Sequence, residues 1–202
     1  MINGFLIGYE LLNDQTPLQK KEELINKLAN IGDGYPPEAT REDVIKQLRI
    51  KTNFLLAFNA SEKDTPVIGY TAFNKYPGGS SSFKHPHWET LETFVKSNYK
   101  NLGKKSGRGI KTGGIATKLT LRLISMARHS KERVNYIFRP DLSGNMKRLH
   151  ERLTQNPRYF YEKGRMGKIA ERIDINPGRN RLSNPGGGET EAVIKIIRRR
   201  RI

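Results

Sequence analysis

A glycine-rich segment followed at once by a long apolar stretch most constrains what this sequence can fold into. The segment reads Lys-Thr-Gly-Gly-Ile-Ala-Thr-Lys-Leu over residues 111–119, and apolar residues then recur at helical spacing to about Arg128. A strand-like run, Trp88–Val95, comes before it. A strand, a glycine turn and a helix point free backbone N–H groups and the positive end of a helix dipole at one place. Such a place binds phosphate, although a glycine loop opening an ordinary buried helix has the same pattern.

The rest of the hydrophobic pattern predicts a mixed α/β fold around this segment. The predicted order is β-α-α-β-β-β-α-β-α-β-β. The predicted strands cover residues 5–12, 53–60, 67–76, 88–95, 134–138, 159–163 and 169–175, with a further candidate at 193–197. The predicted helices cover residues 17–31, 40–50 and 115–128, and a fourth begins at Pro140. The strands at 159–163 and 169–175 are expected to form a hairpin.

Composition divides the chain into a domain and a tail. Residues 176–191 are rich in Pro, Gly, Asn and Ser, so we expect a domain at 1–175 and a linker with a basic arm at 176–202. No apolar run is long enough to cross a membrane, and the N-terminus lacks the charge pattern of a signal peptide. The sequence has no cysteine, which excludes disulfides and thiolate chemistry. A reducing, cytoplasmic location is therefore expected, with no membrane partner.

Positive charge dominates the composition. There are 37 Lys and Arg against 20 Asp and Glu, a net charge of +17, and such a field attracts polyanions. Phosphate backbones attract basic loops without sequence preference, and an aromatic ring can stack on a base. An acidic protein partner, a solvated tail and neutralisation by a phosphorylated cofactor are the alternatives. The candidate nucleic-acid contacts are Tyr99, Lys100, Lys104, Lys105, Arg108, Arg198, Arg199, Arg200 and Arg201.

The element order and the glycine turn resemble the GNAT family (Gcn5-related N-acetyltransferases) over roughly residues 5–175. The family's acetyl-CoA turn usually reads Arg/Gln-x-x-Gly-x-Gly/Ala, then a small hydroxyl residue and Leu. Gly114, Ala116, Thr117 and Leu119 match it, and Lys111 replaces the usual Arg or Gln. The resemblance implies a GNAT-like mixed, mostly antiparallel sheet flanked by helices, with acetyl-CoA as cofactor. It implies cofactor contacts from Lys111, Thr112, Gly113, Gly114, Ile115, Ala116 and Thr117.

The resemblance also implies where the pantetheine arm of the cofactor lies. In the family this arm pairs with the backbone at the end of the central strand, which here means Phe94 and Val95. An Asn in the helix after the next strand often contacts the same arm, and Asn145 occupies that place. Phe94 and Val95 could equally be plain core residues, and Asn145 a polar residue near a helix start.

Two carboxylates in the central strand are candidate general bases, because an amine must lose a proton to accept an acetyl group. Glu89 lies six residues before Val95, on the same face of a regular strand, where the histone-acetyltransferase branch has a Glu. Glu92 is the second candidate and is predicted on the opposite face. Histidine is the usual residue of proton relays near neutral pH, so His85 and His87 could join one. Exposed carboxylates that balance nearby lysines are the alternative, and the spacing of His and acidic residues indicates no metal site.

Two departures from the family pattern leave two functions open. Sixteen positions separate Val95 from Lys111, so the basic loop is an insertion. Arg152 stands where many members have a Tyr that protonates the departing thiolate, and Tyr159 or Tyr161 would have to replace it. One hypothesis is an acetyl-CoA-dependent N-acetyltransferase acting on an amine of a protein, small molecule or aminoacyl-tRNA. The other is a weakly active or inactive GNAT-fold protein that binds nucleic acid within a nucleoprotein particle, such as a virion.

Overall fold

The computed structural model describes residues 6–31, 40–78, 85–96, 99, 114–139, 170–174 and 192–197. In chain order the elements of these ranges are β1 Ile7–Leu12, α1 Leu18–Ala29, α2 Arg41–Arg49, β2 Asn53–Asn59, β3 Val67–Tyr76, β4 His87–Val95, α3 Ile115–His129, β5 Tyr136–Arg139, β6 Ala170–Asp174 and β7 Ala192–Ile196. The strands follow each other in the order β1-β2-β3-β4-β5-β7-β6. Among the pairs that the structure describes, only β4–β5 is parallel. The predicted fold class, a mixed and mostly antiparallel α/β sheet with helices, is confirmed.

The chain forms two compact units. The first comprises Met1–Phe73 and Glu92–Thr120, and the second comprises Asn74–Leu91 and Leu121–Ile202. Strands β3 and β4 and helix α3 each run from one unit into the other. No helix in the part of the chain that the structure describes is long and apolar enough to cross a membrane.

The core of the first unit forms between α1, α2 and one face of its sheet. Strands β1 and β2 pair antiparallel from Ile7↔Asn59 to Leu12↔Phe54, and β3 continues the sheet beside β2. Because side chains alternate along a strand, every second residue faces the helices. The buried residues of this core come from both the helices and the sheet, and they include Leu24, Ile25, Leu28, Val44, Leu48, Phe54, Leu56, Phe58, Tyr70, Ala72 and Phe94. Each large aliphatic side chain buried there contributes roughly 1.5–3 kcal/mol.

Helix α2 is bounded by signals that the sequence carries. The predicted capping box is confirmed, since the Thr40 side chain accepts from the Asp43 N–H while the Asp43 side chain accepts from the Thr40 N–H. At the other end Lys51 N–H donates to Leu48 C=O and Thr52 N–H donates to Gln47 C=O, both at 3.0 Å. This pair of bonds is a Schellman motif, which needs a left-handed residue at its centre. Lys51 supplies it at φ 64°.

Lys51→Gly is expected to raise the free energy of unfolding by about 0.5 kcal/mol. Glycine relieves the strain of left-handed backbone in the folded state, which is roughly 1–2 kcal/mol for other residues. It also makes the unfolded chain more flexible, which stabilises the unfolded state by roughly 0.5–1 kcal/mol. Lys46→Gly removes the same charge at a position inside α2, and it should instead lower the free energy of unfolding by about 1 kcal/mol. Urea unfolding of both variants measures the difference, and equal losses would contradict this account of the helix end.

The second unit contains β5, β6 and β7. Strand β7 pairs antiparallel with β5 through Ile137↔Ile194 and with β6 through Arg172↔Ile194. The candidate last strand at 193–197 is thus confirmed as β7, and the strand predicted at 169–175 is present as β6. The described partner of β6 is β7, whereas the predicted hairpin partner at 159–163 lies outside the described residues. So do the helix predicted after Pro140, the linker at 176–191 and Arg198–Arg201, and the predicted domain boundary stays a prediction.

Candidate active site

The glycine turn opens helix α3 as the sequence predicts. The first helical bond that the structure describes runs from Lys118 N–H to Gly114 C=O at 3.1 Å. The N–H groups of the three residues between them therefore have no acceptor within the helix. Ile115 and Leu119 are buried and hold this end of the helix in the first unit. The described part of the turn, Gly114–Thr117, thus has the backbone geometry of an anion site.

Gly69 in β3 brings the start of α3 and the end of β4 close together. A Cβ placed on Gly69 would lie 2.7 Å from the Phe94 carbonyl oxygen, 3.2 Å from Ile115 Cγ2 and 3.4 Å from Val95 Cα. No side chain fits in that space, so the close approach requires glycine. Phe94 and Val95 at the end of β4 are therefore neighbours of Ile115 at the start of α3. These two segments were predicted to bind the same cofactor. Gly69 is not among the site residues that the sequence predicts, although an isolated glycine inside a strand pattern often marks such an approach.

The end of β4 presents its backbone to the edge that faces away from β3. Lys96 N–H donates to Ile68 C=O at 3.0 Å, so Lys96 faces β3. Backbone groups alternate between the two edges of a strand, and Val95 N–H and C=O therefore point to the other edge. The Phe94 side chain is buried and stacks on Tyr70 with ring centroids 5.7 Å apart. Phe94 is thus a core residue by its side chain, and Val95 has the backbone orientation that pairing with a pantetheine arm requires.

The backbone of β4 contains one irregularity. Pro86 C=O accepts from Asn135 N–H at 2.9 Å on the β5 side, whereas Lys96 N–H donates on the β3 side. In a regular strand, residues an even number apart point their backbone groups to the same edge. One extra residue therefore interrupts β4, as at a β-bulge. It lies after Glu89, where the described pairing with β5 ends.

The bulge corrects the predicted faces of the two carboxylates. Tyr70 donates to Glu92, Tyr76 stacks on His87, and the two tyrosines are six residues apart on β3. Glu89 shares the face of His87, because β4 pairs regularly over these residues. Alternate residues of a strand share a face, so Glu89 and Glu92 lie on the same face of β4. The prediction that they lie on opposite faces is wrong, and so is the prediction that Glu89 shares a face with Val95. Both assumed a regular strand.

Glu92 takes part in a structural hydrogen bond. The Tyr70 hydroxyl donates to Glu92 Oε2 at 2.9 Å, and Tyr70 is buried in the core of the first unit. Burial raises the pKa of Tyr70 far above its ordinary value, and the Glu92 charge raises it further. The hydroxyl is therefore a permanent donor, which ties Glu92 to the fold.

Glu89 lies in the second unit beside Tyr76. The Tyr76 hydroxyl accepts from Asn74 Nδ2 at 3.5 Å, and the Glu89 carboxylate lies near enough for its charge to act on this hydroxyl. Burial raises the pKa of Tyr76, and the charge of Glu89 adds to this effect. The His87 ring is buried and stacks on Tyr76, with centroids 5.0 Å apart and planes within 12°. His85 is exposed, and its carbonyl oxygen lies 3.2 Å from His87 Nδ1.

Tyr99 is the described member of the predicted nucleic-acid contacts. Its hydroxyl donates to Glu62 Oε1 at 2.9 Å, and its N–H donates to Lys96 C=O at 2.9 Å. Burial raises the pKa of Tyr99, so its hydroxyl stays a donor. These bonds tie Tyr99 to the turn after β2, while contact with a base stays a prediction.

The remaining predicted site residues lie outside the described part of the chain. They are Lys100, Lys104, Lys105, Arg108, Lys111, Thr112, Gly113, Asn145 and Arg198–Arg201, together with Arg152, Tyr159 and Tyr161. Within the ranges that the structure does describe, no group of three His, Cys, Asp or Glu could hold a metal ion.

Comparison with known proteins shows similarity at the level of fold. No family model matches the sequence, and no curated protein matches it. A bacterial toxin of known structure is 11% identical over 95% of this chain and 91% of that chain, with a TM-score of 0.52. The catalytic domain of the Tetrahymena Gcn5 histone acetyltransferase in complex with coenzyme A is 13% identical over 95% of this chain and 94% of that chain, at 0.45. An AtaT toxin variant bound to acetyl-CoA and the C-terminus of the antitoxin AtaR is 13% identical over 73% of this chain and 82% of that chain, at 0.43.

At these identities the similarity extends to the fold alone. The order of the described elements and the mixed, mostly antiparallel pairing of the strands agree with the architecture that the family resemblance implied. The chain has a GNAT-like fold.

Proposed function

We propose that this protein is an acetyl-CoA-dependent N-acetyltransferase that acetylates an amine of a protein, a small molecule or an aminoacyl-tRNA. The observation that carries the proposal is the close approach over Gly69. It puts the start of α3, where three N–H groups have no acceptor within the helix, next to the end of β4, with an outward-facing backbone. Coenzyme A joins a pyrophosphate to an extended amide arm. A single molecule can therefore bind the start of α3 with its pyrophosphate and the end of β4 with its arm.

The cofactor roles follow from these two segments. The N–H groups of Ile115, Ala116 and Thr117 would bind the pyrophosphate with Gly114, and the backbone of Val95 would pair with the pantetheine arm. Lys111, Thr112, Gly113 and Asn145 keep the roles that the family resemblance implies. The Tetrahymena Gcn5 and AtaT structures contain coenzyme A and acetyl-CoA respectively.

The reaction needs a base and a polarised carbonyl. The nitrogen of the acceptor amine bonds to the carbonyl carbon of the acetyl group, and the carbon–sulfur bond breaks. Glu89 takes the proton from the amine, and a backbone N–H of β4 stabilises the oxygen on which negative charge develops. The thiolate of coenzyme A leaves and takes a proton from solvent or from Tyr159 or Tyr161, since Arg152 does not supply one.

Calorimetric titration with acetyl-CoA tests the proposal. We expect saturable binding, and Gly114→Glu should weaken it at least about tenfold, because a side chain and a negative charge would enter the phosphate site. Gln19→Glu makes the same charge change on an exposed position of α1 and should leave the affinity unchanged. Absence of binding at millimolar acetyl-CoA would refute the enzyme, and equal affinity of the Gly114 variant would refute this placement of the pyrophosphate.

A second function is favoured by Arg152 at the usual Tyr position and by the net charge of +17. The protein would then keep the fold and bind nucleic acid with its basic loop and tail. Binding to a mixed-sequence RNA should weaken steeply as salt rises, since phosphate contacts release counterions. Salt-dependent binding without acetyl-CoA binding would favour this role over the enzyme.

A further inference from the structure

Three polar side chains lie together on one face of β3 and β4 within the second unit. Asn74 Nδ2 donates to the Tyr76 hydroxyl oxygen at 3.5 Å. The ring of His87 lies nearly parallel to that of Tyr76 and fixes its plane. Glu89 follows His87 by two residues in the regularly paired part of β4, so it lies on the same face, beside Tyr76.

One atom of this cluster is unsatisfied. Asn74 Oδ1 is buried and has no hydrogen-bond partner among the residues that the structure describes. Buried carbonyl oxygens nearly always accept a hydrogen bond, so an exception needs an explanation. Tyr76 is 38% exposed, so the cluster extends from this buried oxygen to the protein surface. A ligand with N–H groups bound beside Tyr76 would supply the missing donor.

We propose that Asn74, Tyr76 and Glu89 form the subsite for a primary amine of the acceptor, and that Tyr76 positions Glu89 within it. This inference rests on the proposed function. A primary ammonium group has three N–H donors, and the subsite offers two acceptors with different tasks. Glu89 accepts the proton that leaves, and Asn74 Oδ1 accepts an N–H that stays on nitrogen. The Tyr76 ring adds an aromatic wall, which attracts a cation.

Binding of a model amine tests the subsite without any need for catalysis. The probe is N-acetyl-lysine methylamide, and its match is N-acetyl-norleucine methylamide, which lacks the amine. In ¹⁵N-resolved NMR spectra we expect the lysine probe to shift the Asn74 side-chain amide and the Tyr76 and Glu89 backbone signals. The norleucine probe should leave them in place. Equal shifts with both probes, or none with the lysine probe at tens of millimolar, would overturn the proposal.

Tyr76→Phe tests the positioning role in the 202-residue chain. Release of coenzyme A can be followed with a thiol reagent, because the chain itself has no cysteine. We expect kcat with the lysine probe to fall about tenfold while KM for acetyl-CoA is unchanged, since only the base loses its partner. Tyr70→Phe removes the hydroxyl of the other Tyr–Glu pair and should lower Tm without changing the kinetics. Unchanged kinetics for Tyr76→Phe, or the same loss in both variants, would contradict the assignment.

Asn74→Leu separates folding from binding. It removes a buried oxygen that has no partner, so it should leave Tm unchanged or raise it, and it should abolish the shifts caused by the lysine probe. A lower Tm with intact probe binding would show that Asn74 has only a structural role. If the wild-type protein binds the lysine probe here but never releases coenzyme A, the proposed function fails and the subsite stands. If it releases coenzyme A while the probe leaves these signals in place, the subsite alone fails.

Discussion

Gly69→Ala is expected to lower the free energy of unfolding by about 3 kcal/mol and to weaken acetyl-CoA binding with it. The new methyl group would lie 2.7 Å from the Phe94 carbonyl oxygen, a backbone atom in the middle of a sheet that cannot turn away. Overpacking of this kind costs roughly 1–3 kcal/mol, and more where the neighbours cannot move. Relief requires that Ile115 or the end of β4 shift, and both belong to the proposed cofactor site.

Gly8→Ala is the matched control. A Cβ at Gly8 in β1 would lie 3.8 Å from Ala60 Cβ and 3.9 Å from Phe58 Cβ, which is ordinary contact. Since glycine weakens a strand by roughly 0.5–1 kcal/mol, this variant should be neutral or slightly more stable. Urea unfolding and acetyl-CoA calorimetry on both variants measure the two effects. A Gly69→Ala protein as stable as Gly8→Ala would show that the close approach is not what holds β4 and α3 together.

Local patterns were sufficient to predict most of the elements. Apolar and aromatic runs on either side of a polar turn predicted β2 and β3, and the Thr40–Asp43 pair predicted the start of α2. These signals lie within a few residues of the structure they specify. The position of β7 between β5 and β6 depends instead on pairing between segments far apart in sequence, which no local pattern specifies.

The sequence was sufficient to predict the two segments of the candidate site. It was not sufficient to predict that these segments lie next to each other. The glycine turn and the end of β4 each have a local pattern, whereas their meeting depends on Gly69, forty-six residues before Ile115. The faces of Glu89 and Glu92 were predicted wrongly for a related reason. A β-bulge adds one residue to a strand without a reliable sequence mark, and a shift of one residue moves a side chain to the other face.

Glu89→Gln is expected to lower kcat for acetyl transfer by roughly a hundredfold or more, because general base catalysis commonly contributes 10²–10⁴-fold. The amide keeps the shape of the carboxylate beside Tyr76, so the fold should be retained, but it cannot take a proton. KM for acetyl-CoA should be unchanged, since the cofactor is expected to bind through the first unit.

Glu92→Gln tests the rival carboxylate with the same chemical change. Its carbonyl oxygen can still accept from the Tyr70 hydroxyl, which is the contact that Glu92 makes in the structure. Steady-state rates of coenzyme A release with the lysine probe, measured beside Tm for both variants, compare the two. A rate loss confined to Glu92→Gln would make Glu92 the general base in place of Glu89. A loss confined to Glu89→Gln would assign this role to Glu89, beside Tyr76. That outcome would also make Arg152 compatible with catalysis, because a competent base would then drive transfer without a tyrosine at that position.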